Sequence, residues 1–159
     1  MTVTHHPAPP KTSTLSPGVT AAFGFVVYVL AVIAGEVFEI NADHRLAHHQ
    51  DQSLWEVLTG FWAEFAIALV GVAIVVWAGR RACSGSLTRL TRTALVLGVV
   101  GVLTVPAFWA GWPNVFGAVA LGLALESRQR LGSLGPMAGI AAALGTVGFI
   151  TGTVICVLG

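Results

Sequence analysis

The chain has 159 residues, 55% of them hydrophobic and 9% charged, with a net charge of +1, whereas ordinary soluble domains carry about 25% charged residues. A soluble fold of this length cannot hide so much apolar surface. The near-neutral balance, with no lysine or arginine run, excludes a nucleic-acid partner. Two cysteines, Cys83 and Cys156, are too few for a disulfide framework, and the absence of a phosphate-cradling glycine loop, a G-x-S-x-G elbow or an HExxH motif weighs against an enzyme.

Residues 1–18 are rich in Pro, Thr and Ser and lack apolar periodicity, so they predict a disordered tail in which His5 and His6 are solvated. A first span is expected over about Val19–Ile40, a length that at ~1.5 Å per residue crosses a ~30 Å hydrocarbon core. Only Lys11 precedes it, so the segment reads as a retained span and not as a cleaved signal peptide. The polar stretch NADHRLAHHQDQS leads into a second span, about Leu54–Gly79, with Glu56 and Glu64 in its first half. An arginine-bearing loop, RRACSGSLTRLTR, follows.

From Thr93 to Leu125 no charge occurs over 33 residues, and a single helix of that length would extend ~50 Å, too long for one bilayer. The break falls at Gly111-Trp112-Pro113-Asn114, flanked by Trp109 and Trp112 as interfacial aromatics. This gives a third span over about Thr93–Ala110 and a fourth over about Pro113–Arg128, with a fifth over about Leu134–Leu158. The expected fold is an all-α, polytopic transmembrane bundle of five spans, or four if the fourth is re-entrant. Gly148 and Gly152 form a GxxxG pair, which points to packing within the chain before oligomerisation.

Five spans with a cytoplasmic amino terminus place Lys11, Arg80, Arg81, Arg89, Arg92, Arg128 and Arg130 on one side and leave Arg45 on the other. That distribution obeys the positive-inside rule. Arginine in place of lysine, with abundant Ala, Gly and Val, suggests a GC-rich bacterial source and hence a bacterial plasma membrane.

The opposite side collects acid. Glu36, Glu39 and Asp43 stand at i, i+3 and i+7, one stripe if the first helix extends that far. Like charges so placed call for relief by Arg45, water, partial protonation or a bound cation. His44 and His48 stand at i, i+4 with Asp51 a turn further on, a spacing that suits a divalent metal ion. Glu64 lies 16 residues from Arg80, hence ~24 Å along the helix from the basic boundary and inside the outer part of the core. A carboxylate at the bilayer centre costs about 2.5–3.5 kcal/mol, so such groups face a partner, a cavity or a pathway.

Three readings follow. The protein binds or conducts a cation or proton through the outer patch, with Glu64, Glu36, Glu39 and Asp43 along the path and a homo-oligomer forming it. Alternatively it is an accessory or scaffold subunit whose glycine-lined spans dock onto a larger membrane complex. A third alternative is a membrane metalloprotein using His44, His48 and Asp51. In each the lipid bilayer is the first partner.

Overall fold

Proline, glycine and serine punctuation sets the helix boundaries. The computed structural model describes residues 15–37 and 54–158, and all regular structure among them is helical. α1 covers Pro17–Val37, α2 Leu54–Gly60, α3 Trp62–Cys83, α4 Leu87–Leu103, α5 Trp112–Leu131 and α6 Pro136–Leu158, with a 3-10 turn over Val105–Ala110. Pro17 opens α1 at a position where its missing N–H is no loss, and Ser16 Oγ accepts from Val19 N at 3.3 Å. Three helical stretches, Pro17–Glu36, Trp62–Cys83 and Pro136–Leu158, are long and apolar enough to cross a membrane, which supports a membrane protein.

Several helix boundaries differ from the sequence expectation. The helix expected from Leu54 to Gly79 is divided at Phe61, where the backbone turns to φ −97°, ψ 15°. Gly60, a poor helix former, precedes the break, so Glu56 stands on α2 and Glu64 falls in the first turn of α3. α3 then runs on through Arg80 and Arg81 to Cys83. The arginine-bearing stretch is therefore mostly helix. Ser86 caps α4, accepting from Arg89 N at 3.4 Å, so Arg89 and Arg92 lie within α4.

α4 stops at Leu103 because Pro106 cannot donate into the ladder, and the chain continues as the 3-10 turn. Gly111, at φ +67°, reverses the chain into α5. A second positive-φ glycine, Gly132 at +76°, ends it.

α5 forms the axis of the bundle, packing against α1, α3, α4 and α6. Nearly every residue from Pro113 to Ser127 is buried. α1 lies antiparallel to it, with Gly111 against Tyr28 and Gly122 against Thr20. Close approach rests on small residues: a Cβ on Gly117 would stand 2.5 Å from Gly145 O, and one on Gly24 2.7 Å from Asn114 O. The large apolar side chains point outward instead, as with Val19, Phe23, Val26 and Leu30 on α1 and Leu69, Val70, Ile74 and Trp77 on α3.

Charge separates along the axis. Pro17 meets Gly79, and Arg130 bonds to Cys83 O, so the start of α1, the end of α3 and the end of α5 share one end, which carries Arg80, Arg81, Arg128 and Arg130. The other end gathers the carboxyl half of α1, the start of α3 and the end of α6 around Tyr28, Val32, Ala68 and Cys156. Glu36 and Glu64 are there.

Candidate functional site

The site is built where α1, α3 and α6 close over the 3-10 turn. The fully buried Tyr28 donates its hydroxyl to Trp109 O, and Cys156 Sγ donates to Phe108 O at 3.7 Å. Two carbonyls of the irregular segment thus receive side-chain donors, as buried backbone polar groups require. Phe65 meets the Tyr28 ring edge-on at 5.9 Å and 80°, and Phe61 tilts against Phe65 at 6.5 Å. These rings fix the first turn of α3, and with it Glu64.

Glu64 Oε2 is buried and has no hydrogen-bond partner among the described residues. Its place in the first turn of α3 aligns it with the positive end of the helix dipole, worth about 0.3–1 kcal/mol near a surface. That contribution is smaller than the ~1–3 kcal/mol cost of an unsatisfied buried polar atom, which is larger still for a charged one. The site therefore has capacity for one more donor or cation on Glu64. Chemically, it can hold a proton or bind a positive charge.

Glu36 stands partly buried in the last turn of α1, at the same end as Glu64. Glu39 and Asp43, the rest of the predicted acidic stripe, lie outside the described residues, as do His44, His48 and Asp51 of the predicted metal set. Among the described residues no group of three or more His, Cys, Asp or Glu side chains could hold a metal ion. Glu56 is exposed on α2, separated from Glu64 by the break at Phe61.

Two buried polar elements had not been expected from the sequence. Asn114, wholly buried in the first turn of α5, donates from Nδ2 to Thr153 Oγ1 at 2.7 Å, while its Oδ1 is unpartnered among the described residues. Glu126 is buried near the arginine end, its Oε1 receiving Arg130 Nε at 2.9 Å. The Glu126/Arg130 spacing of i, i+4 was a readable signal for the second pair. Asn114 carried none, because beside Gly111 and Pro113 it reads as a turn residue. Trp112 turns its Nε1 inward, donating to Ile67 O at 3.1 Å.

No protein-family model, curated protein or solved structure matches this chain.

Proposed function

We propose that the chain is a five-span protein of a bacterial plasma membrane that binds a cation or proton at its carboxylate-bearing end, with Glu64 as the receiving group. The observation that carries this reading is the buried, unpartnered Glu64 Oε2, in the turn of α3 that Phe65 packs against Tyr28. An intramembrane or rim carboxylate with a free lone pair is stabilised by a proton, a cation or water. Because α5 fills the axis of the bundle, a conducting path runs between copies of the chain, so the conducting form is a homo-oligomer. Glu36 continues the acidic lining, with Glu39 and Asp43 beyond it in the sequence.

The amino terminus and the arginine end face the cytoplasm, following the positive-inside rule. α5 and the 17-residue α4 count as spans alongside the three apolar helices. The accessory-subunit alternative has less support, because Gly148 already abuts Gly101 and Gly152 abuts Pro113 and Asn114. That glycine face is occupied within the chain. The metalloprotein alternative depends on His44, His48 and Asp51, and metal analysis of the purified protein tests it directly.

The test of the main reading is Glu64→Gln in proteoliposomes loaded with a pH-sensitive dye and challenged in turn with proton and metal-cation gradients. The substitution keeps the shape of the side chain and removes its charge, and proton- or cation-coupled flux should be lost. Flux equal to that of the unaltered protein would rule the reading out.

A further inference from the structure

On the outside of the bundle, away from Glu64, α3 carries an open groove of about 760 Å³. Leu69, Val72 and Val76 form its apolar wall, and Trp77, Arg80 and Arg81 close the end toward the arginine pole. The Arg81 guanidinium lies over the Trp77 ring, 5.5 Å from its centre, which holds it at the groove's edge. Arg80 and Arg81 are both exposed, and neither enters an ion pair among the described residues. Arg130 differs, because Glu126 and Cys83 O already engage it.

α3 is long and apolar enough to cross a membrane, so its basic end falls where headgroup phosphates lie. The groove thus presents, in order along the helix, an apolar wall at acyl-chain depth, an indole, and two guanidinium forks suited to a phosphate. We propose that it is a specific site for one anionic phospholipid. Charge selects among lipids: the choline or ethanolamine cation of a zwitterionic headgroup would face two arginines with no free carboxylate in the groove to receive it. Glu126, on α5 at that end, is buried away from the groove with its Oε1 held by Arg130.

The test is native mass spectrometry of the full chain released from detergent containing equal phosphatidylglycerol and phosphatidylcholine. The unaltered protein should retain one phosphatidylglycerol with at least about ten-fold preference, because both headgroups offer a phosphate but only the choline cation is repelled by the two guanidinium groups. R80Q/R81Q should bring that preference close to parity. R89Q/R92Q, which removes the same charge from neighbouring α4, should leave it intact. Equal loss in both double variants, or no preference in the unaltered protein, overturns the site in favour of diffuse charge. A second measurement needs no variant: phosphatidylglycerol with a photoreactive acyl chain should label α3 between Leu69 and Trp77. Labelling spread evenly over the exposed faces of α1, α3 and α6 overturns the proposal.

Discussion

Arg130 reaches back one turn along α5 to donate from Nε to Glu126 Oε1 at 2.9 Å, while its Nη2 donates to Cys83 O at 2.9 Å and ties the end of α5 to the end of α3. Removing Arg130 leaves a carboxylate buried without its partner. Arg130→Met should therefore lower stability by about 1–3 kcal/mol, below the ~3–5 kcal/mol of a fully buried pair because the Arg130 side chain is 35% exposed. Glu126→Gln should be milder, since it removes the buried charge. Thermal unfolding in detergent checks the order, and equal effects of the two would contradict it.

The Asn114–Thr153 bond joins α5 to α6 inside the bundle. Thr153→Val removes the acceptor and leaves the Asn114 amide without its partner, so a loss of about 1–2 kcal/mol is expected. Asn114→Leu, close in volume, removes both the donor and the need for an acceptor, and should cost less. Denaturation in a graded detergent mixture distinguishes them, and a larger loss for the leucine variant would show that shape, not hydrogen bonding, governs the site.

Glycines in similar sequence settings should respond in opposite directions. Gly117→Ala forces a Cβ to 2.5 Å from Gly145 O and 2.9 Å from Phe149 N, so α5 and α6 must separate. A loss of more than ~2 kcal/mol is expected, as for overpacked cores. Gly139→Ala meets nothing nearer than Leu134 Cδ2 at 3.5 Å, and should gain up to ~1 kcal/mol from helix propensity. Melting temperatures of the two variants settle the contrast.

The proposed five-span topology predicts sidedness. In a background with Cys83 and Cys156 replaced by Ser, an impermeant maleimide applied to intact cells should label Trp55→Cys. It should label Arg89→Cys and Ser133→Cys only after permeabilisation. Labelling of Ser133→Cys in intact cells would place the link between α5 and α6 outside, as a re-entrant α5 requires, and would reduce the span count.

Hydropathy made the apolar helices legible, and for α6 the expectation of Leu134–Leu158 differs from Pro136–Leu158 by one short segment. The errors lie where a boundary depends on a single residue. Pro106 and the Gly60-Phe61 pair were present in the sequence, but each sat inside an apolar run that outweighed it. The sequence marks Glu64 as an acid at the start of an apolar run, and the structure places it in the first turn of α3. The burial of its Oε2 was not legible, because the packing of Tyr28 from α1 onto Phe65 that fixes this turn joins residues far apart in the chain. Asn114 was hidden for the same reason, since its partner Thr153 is supplied by α6, far along the chain.

A helix enclosed by four others has little lipid-facing surface on which high hydropathy could be selected, and α5, with Glu126, Arg128 and Arg130 in its last turns, is absent from the three strongly apolar helices. During synthesis α5 emerges before α6, the helix that supplies Thr153 and the Gly145–Gly152 face. Its side toward α6 is then bare. On the proposed topology, membrane insertion of α5 is thus a cooperative event completed by the carboxyl-terminal helix, and chains truncated before Pro136 should be recognised by quality control as unfinished.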